Sequence, residues 1–212
     1  LEKLKNIEGV FKVKSELIKN IRKGGTLIVP NNEKFLKRWI KMSNGISVVP
    51  VPKDFIAVNE KVSRTKKIMT FDIILNTQVN KKSTSVSVTS SLIGKHNIQN
   101  ILFCFECLRV LGESNTRMLK VLKNISTSVL RQKIIEWKNK STLIDDTYNA
   151  NPESVKRSID VLSGFPGRKI FIFGDMFELG RYRRKHHKDI GRYANKLNID
   201  IFITFGELSS LA

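Results

Sequence analysis

Hydrophobic and polar positions alternate with two different periods along the chain. Apolar residues recur at helical spacing over 6–23 and 33–42, and a short apolar strand follows each segment, at 26–29 and 46–51. Between residues 55 and 92 the period becomes two, which is typical of antiparallel strands with one solvated face. The first part of the chain is therefore predicted to combine helices with two kinds of strand.

The helical period returns after this region. It predicts a long helix over 98–111, a shorter helix over 115–124 and a hairpin with strands at 130–137 and 141–144. The same reasoning predicts a further helix over 184–197 and a final strand over 201–205. The strand–helix–strand–helix–strand order from residue 142 onward indicates a parallel, Rossmann-like sheet.

The stretch from Leu143 to Gly180 organises the second half. An apolar strand ends in two carboxylates, and Asn151-Pro152 then offers a good N-cap and a good first helical residue. A second apolar strand ends at Gly174-Asp175, so we interpret the stretch as a β-α-β unit with polar residues at both strand ends. We place the domain boundary near 141–144, which gives domains of residues 1–143 and 144–212.

Charge and cysteine content narrow the functional classes. The 212 residues include 38 Lys and Arg against 19 Asp and Glu, a net charge of +19. A nucleic-acid partner and compositional drift both explain this excess, but the lysines are scattered, so we expect no nucleic-acid partner. Cys104 and Cys107 lie in an apolar helical run, which predicts buried free thiols in a reducing cytoplasm.

No apolar run approaches the length of a membrane span, so we expect none, and we see no signal-peptide pattern. The first residue is Leu1 rather than Met, and we expect the chain to be part of a longer protein. We further expect a monomer.

Three polar residues mark the start of the predicted long helix. Asn97 and Asn100 are three apart, so their carboxamides can point together, and His96 precedes them. Carboxamides offer a donor and an acceptor, which suits a purine edge. The alternative is that Asn97 only caps the helix.

Carboxylates follow both strands of the β-α-β unit. Asp145 and Asp146 are suited to bind a ribose, a metal or a cation, and capping and turn formation explain them equally well. For Asp175 and Glu178, likewise, ligand binding and capping or turn formation both remain possible roles.

His186 and His187 are candidates for catalysis or metal binding, although adjacent helical residues point apart and do not readily share a metal. The sequence contains neither G-x-x-x-x-G-K-[ST] nor G-x-G-x-x-G, so it lacks the usual phosphate-binding motifs.

Four strings together closely resemble the Mur ligases: G-K-H-N-I-Q-N at 94–100, D-D-T-Y-N-A-N-P at 145–152, G-D-M-F-E-L-G at 174–180 and H-x-x-x-G at 187–191. The resemblance covers essentially the whole chain, more weakly over 26–90. It implies an α/β fold, with the later part of a central ATPase domain followed by the first half of a Rossmann-like C-terminal domain.

Within the family, the strings resemble the member that joins D-alanyl-D-alanine to UDP-N-acetylmuramoyl-tripeptide in peptidoglycan precursor synthesis. The resemblance implies ATP and Mg²⁺ as cofactors and an acyl phosphate as the intermediate. Such chemistry depends mainly on positioning and charge neutralisation. The alternative is a non-catalytic, degenerate remnant that folds partly and binds nucleotide.

The resemblance also implies roles for individual residues. Asn97 and Asn100, preceded by His96, match ATP-contacting asparagines. Arg131 matches an arginine that contacts the nucleotide, and Asp146 matches an aspartate that holds its ribose. By the same reasoning, three residues line the nucleotide cleft: Tyr148, Asn149 and Asn151.

Lys14 matches a lysine that is usually carbamylated to help bind Mg²⁺; the residues alone predict a solvated helix lysine. Asp175, Glu178 and His187 match residues near the acceptor. Closure of the second domain over ATP is the implied motion.

Two motifs depart from the family pattern. The family's N-A-D-D/N motif is replaced by V-P-N-N at 29–32, and its P-G-R is Val129-Leu130-Arg131 here. Because the chain also lacks a P-loop, we expect it to be inactive by itself.

Overall fold

The computed structural model describes residue 4 and residues 6–52, 55–63, 68–76, 83–122 and 131–212. Contacts divide the chain into two compact units, formed mainly by residues 6–125 and 126–212, which we call the N-terminal and C-terminal units. Sequence patterns placed the boundary later, at 143/144. The difference concerns the hairpin before that point, which belongs to the C-terminal unit.

The N-terminal unit begins with two helices and two strands. These are α1 (Ile7–Asn20), β1 (Thr26–Pro30), α2 (Leu36–Met42) and β2 (Ser47–Val51). Strands β1 and β2 pair in parallel. The four predicted elements are confirmed, although α2 begins at Leu36 rather than at 33. Their apolar faces share one core: Phe11, Leu27, Val29, Phe35 and Trp39.

An antiparallel sheet follows. Its strands are β3 (Phe55–Ser63), β4 (Ile68–Asn76) and β5 (Ser83–Ser90), and β4 lies in the middle. The period-two prediction is confirmed for the described residues, because alternate side chains of β4 are buried; the predicted turn at 80–82 lies outside them. Helices α3 (Lys95–Val110) and α4 (Asn115–Leu122) complete the unit. The sheet and α3 share a core with β2: Val51, Met69, Phe71, Ile73, Val88, Ile98, Ile101, Leu102 and Phe105.

The predicted burial of the two cysteines is wrong. Cys104 and Cys107 are both free and exposed. The core side of α3 is formed by Ile98, Ile101, Leu102 and Phe105, which leaves residues 104 and 107 on the opposite side. A run in which nearly every residue is apolar does not show which side of a helix is buried.

The C-terminal unit begins with a hairpin. Strands β6 (Lys133–Glu136) and β7 (Thr142–Asp145) pair in antiparallel fashion, as predicted. The turn between them holds Asn139 and Lys140 at φ +56° and +59°. Asn adopts the left-handed conformation more readily than most residues, which suits Asn139 to this turn.

The remaining elements are α5 (Pro152–Ser163), β8 (Ile170–Gly174), α6 (Arg183–Lys196) and β9 (Ile201–Phe205). Strands β8 and β9 pair in parallel across α6. Among the described strands, β7 pairs only with β6. The predicted pairing within Leu143–Gly180 is therefore wrong, because periodicity identifies strands without identifying their neighbours. The parallel strand–helix–strand unit is β8-α6-β9.

Helices α5 and α6 cover one face of the β8-β9 sheet. Their shared core is Val155, Ile159, Phe173, Met176, Ile190 and Ala194. On the sheet's other face the apolar side chains are exposed: Ile170 by 48%, Ile172 by 68%, Ile203 by 45% and Phe205 by 82%. Parallel sheets are usually covered on both faces, so this exposure is unusual. Within the described residues, no helix is both long and apolar enough to cross a membrane.

Candidate functional site

The start of α3 brings two carboxamides into contact. The side-chain nitrogen of Asn100 donates to the side-chain oxygen of Asn97 at 3.2 Å, and that of Asn97 donates to the Ile93 carbonyl at 2.9 Å. The N-cap is Gly94, at φ +111°, so capping by Asn97 is wrong. The two asparagines point together as predicted, and His96, also in this turn, is half-buried.

Lys14 is exposed on α1, whereas Phe11 and Ser15 of the same helix are buried. The ammonium can therefore be reached from solvent. No group of three or more His, Cys, Asp or Glu side chains in the described parts of the chain is arranged to hold a metal ion.

Asp146 is fixed between the hairpin and α5. One carboxylate oxygen accepts the Gln132 backbone N–H at 3.2 Å, and the other accepts the Ser158 hydroxyl. Gln132 has φ +49°, a conformation that costs a non-glycine residue about 1–2 kcal/mol. The hydrogen bond to Asp146 helps to offset that cost. Sequence reasoning missed Gln132 and Ser158, because both contacts depend on the packing of distant segments.

Arg131 and Tyr148 form a stacked pair: Arg131 precedes Gln132, which bonds to Asp146, and Tyr148 follows Asp146 by two residues. The Arg131 guanidinium carbon lies 4.2 Å from the centre of the Tyr148 ring, and both side chains are exposed. A cation over an aromatic face is attracted by the ring's quadrupole. The structure thus brings together three predicted nucleotide-binding residues, Arg131, Asp146 and Tyr148, on the segments around the hairpin.

The other polar residues of D-D-T-Y-N-A-N-P satisfy local backbone groups. Asp145 accepts the backbone N–H and hydroxyl of Thr147, which makes it a turn residue. Asn149 accepts the N–H of Ala150 at 2.9 Å. Asn151 accepts two N–H groups at the start of α5 in a capping box, so the N-cap prediction is confirmed. The two adjacent carboxylates of this motif therefore have different roles.

His187 lies at 0% exposure in the core of the C-terminal unit. Its Nε2 accepts the Met176 backbone N–H at 2.9 Å, and its Nδ1 lies 2.7 Å from the Arg183 carbonyl. An accepting Nε2 requires the proton on Nδ1, which then donates to Arg183. His186 is half-buried with its ring edge toward Tyr182, so the two histidines diverge as expected.

Asp175 anchors the segment that follows β9. Its carboxylate accepts the N–H of Ser209 at 2.6 Å and of Leu208 at 3.3 Å. Burial alone would raise the pKa of Asp175. The hydrogen bonds from the N–H groups of Ser209 and Leu208 stabilise the ionised carboxylate more strongly, so the pKa of Asp175 is lower than usual. A Cβ on Gly206, at φ +128°, would lie only 2.3 Å from this carboxylate, so only glycine fits there.

Glu178 lies between Asp175 and His187 in sequence but is more exposed to solvent than either. Its side chain is exposed, and its backbone is in the left-handed region at φ +60°. Asp175 is half-buried and His187 is buried, and both bond within their own unit. Of the three predicted acceptor-side residues, only Glu178 points its side chain to solvent.

The class of protein follows from comparison of the chain with models of known families. The chain belongs to the Mur ligase family. The family model described as "Mur ligase middle domain" matches residues 1–108, and the model described as "Mur ligase, glutamate ligase domain" matches residues 130–211.

The relatives point to one member of that family. The UDP-N-acetylmuramoyl-tripeptide–D-alanyl-D-alanine ligase of Haemophilus influenzae is 30% identical over 212 residues, which is 100% of this chain and 45% of that protein. The Escherichia coli enzyme of the same name is 27% identical, over 99% of this chain and 46% of that protein. The chain therefore spans a little under half the length of these relatives.

Solved structures of MurF superpose closely on this chain. MurF from Acinetobacter baumannii superposes with a TM-score of 0.87 at 26% identity, covering 100% of this chain and 45% of that one. MurF from Thermotoga maritima, solved in complex with ADP, gives a TM-score of 0.84 at 22% identity, over 100% of this chain and 47% of that one. The predicted α/β fold and the Mur ligase resemblance are both confirmed.

Proposed function

We propose that the chain supplies nucleotide-binding and acceptor-binding segments of an ATP-dependent ligase that joins D-alanyl-D-alanine to UDP-N-acetylmuramoyl-tripeptide. Membership of the Mur ligase family and the names of the relatives support this proposal. The observation that carries it is the fixed Asp146 carboxylate beside the stacked Arg131 and Tyr148. We place the reaction in the cytoplasm, in a monomeric enzyme.

The proposed reaction has two steps. A carboxylate oxygen of the tripeptide attacks the γ-phosphorus of ATP, and ADP leaves. The dipeptide amine then attacks the carbonyl carbon of the acyl phosphate, inorganic phosphate leaves through a tetrahedral intermediate, and the amine proton passes to solvent. The protein contributes mainly by positioning the reactants and neutralising charge.

Both units carry residues that we assign to nucleotide binding. Asn97 and Asn100 offer a carboxamide pair to the adenine edge, because one donor and one acceptor match that edge. Asp146 accepts from a ribose hydroxyl, and the Arg131 guanidinium pairs with phosphate, for which its planar fork is suited. Tyr148 holds that guanidinium in place by stacking. His96, Asn149 and Asn151 position these groups.

On the acceptor side, we assign direct contact to Glu178 and a supporting role to its two neighbours. Asp175 fixes the segment after β9, and His187 fixes the Met176 backbone, so together they hold the loop that carries Glu178. Their polar atoms are already used for this purpose.

We also propose that Mg²⁺ accompanies ATP and that a carbamylated Lys14 is one of its ligands. Exposure of Lys14 supports this, since carbon dioxide can reach the amine. A carbamate would give a hard cation the oxygen ligand it prefers. The described residues supply no full ligand set, so phosphate oxygens and water would complete the coordination.

A binding titration tests the proposal. Binding of a fluorescent ATP analogue to the whole chain should weaken roughly tenfold in Arg131→Ala, which corresponds to the loss of one charged hydrogen-bonding group. Arg168→Ala is the matched control, because Arg168 is exposed and lies outside the candidate site. Equal affinities in both variants would contradict the assignment of Arg131.

Turnover is a separate prediction. Because the sequence has no P-loop, the purified 212-residue chain should bind ATP without releasing ADP. ADP release by this chain, in the presence of both substrates and Mg²⁺, would contradict that expectation.

A further inference from the structure

Two thiols lie side by side on the open face of α3. Cys104 and Cys107 are both exposed and free, whereas Ile101, Leu102 and Phe105 on the other side of the helix are buried. The proposed reaction uses neither cysteine. A pair of accessible thiols one helical turn apart therefore needs its own explanation.

The spacing brings the two side chains together. Residues three apart on a helix are neighbours, with about 5–6 Å between their Cβ atoms. Two thiolates here repel each other, and a cation held between them would relieve that repulsion.

Geometry favours a bridging ion over a disulfide. A disulfide needs Cβ atoms about 3.5–4.5 Å apart, so the helix would have to distort to form one. A metal–thiolate bond of about 2.3 Å at tetrahedral geometry places two sulfurs roughly 3.8 Å apart without moving the helix. The undistorted helix is thus better suited to chelation.

We propose that Cys104 and Cys107 form a two-thiolate site for a soft metal ion of the class of Cu⁺, Zn²⁺ and Cd²⁺. Thiolates select such ions over hard cations such as Mg²⁺. On binding, each S–H proton is released to solvent and each sulfur forms one bond to the metal. The described residues hold no group of three or more metal-ligating side chains, so water completes the coordination.

Cadmium titration of the reduced 212-residue chain tests the site. Thiolate-to-cadmium charge transfer in the ultraviolet reports sulfur coordination alone, so histidine and carboxylate binding does not contribute. We expect one Cd²⁺ per chain and protection of both thiols from alkylation. Cys107→Ser should weaken binding by about tenfold or more, because the second bond is intramolecular and benefits from a high effective concentration.

A spacing variant provides the matched control. Cys107→Ser combined with Val110→Cys keeps two exposed thiols on the same helix but places them six residues apart, pointing to different sides. It should bind Cd²⁺ as weakly as Cys107→Ser. The proposal is overturned if this variant matches the wild type, or if the wild type binds no more tightly than Cys107→Ser. Circular dichroism confirms that each variant is folded.

Discussion

His187 and Asp175 show how single residues of the motif strings contribute through the backbone. His187 accepts the N–H of Met176, and Asp175 accepts two N–H groups beyond β9. Both contacts join segments that are distant in sequence. The two side chains therefore fix the shape of the loop between β8 and α6, whatever that loop binds.

Replacing His187 tests this role. His187→Ala removes a buried ring and leaves the Met176 N–H without its acceptor, so we expect a loss of about 2–4 kcal/mol in the free energy of unfolding. His186→Ala, at the half-buried neighbouring position, should cost less than about 1 kcal/mol. Urea unfolding measures both, and equal losses would show that the buried ring does not hold the loop.

Asp175 makes a pH-dependent contribution. Its pKa is lowered in the folded state, so its stabilisation is present above the unfolded pKa and is lost as the pH falls through the folded pKa. The stability difference between wild type and Asp175→Asn should be constant from about pH 6 to 8 and shrink below about pH 4. Urea unfolding as a function of pH measures this, and a difference that grows on acidification would reverse the sign.

At the scale of elements, β8 has two unlike faces. Phe173 is 3% exposed and contributes to the core with α5 and α6, whereas its neighbour Ile172 is 68% exposed. Burial, and not residue type, decides what such an apolar side chain contributes to stability.

These two positions form a natural comparison. Phe173→Ala should lower the free energy of unfolding by about 3–5 kcal/mol, because it leaves a cavity in the shared core. Ile172→Ala should change it by less than about 1 kcal/mol, because the side chain is already in water. Thermal and urea unfolding distinguish the two, and a large loss for Ile172→Ala would mean that its face is covered in solution.

Local sequence signals predicted the helices, strands and turns well. They predicted the contacts between distant segments less well. The Asn151 cap of α5, the hairpin turn and the period-two sheet all follow from neighbouring residues, so the sequence sufficed. The parallel pairing of β8 with β9 agrees with the predicted strand-helix-strand order. Whether β7 lies beside β8 and whether Cys104 is exposed depend on packing between distant segments.

At the candidate site, too, local motifs were predicted from the sequence and contacts between separate segments were not. Asp146 was predicted from its motif, but its partners Gln132 and Ser158 were not, because no local pattern marks them. His187 was assigned to the acceptor side, whereas both of its ring nitrogens bond within the unit.

At the scale of the whole molecule, the net charge of +19 favours any anionic ligand through its long-range field. Each unit also carries its own candidate nucleotide-binding residues. The central claim is that these residues bind ATP, with the asparagine pair contacting the adenine.

Titration of the isotope-labelled chain with ATP, followed by nuclear magnetic resonance, tests that claim most directly. The side-chain amide signals of Asn97 and Asn100 and the ring signals of Tyr148 should shift and saturate as ATP is added. GTP should shift the Asn97 and Asn100 signals much less, because its purine edge presents different donors and acceptors. Unchanged asparagine signals, or equal shifts with GTP, would contradict the account.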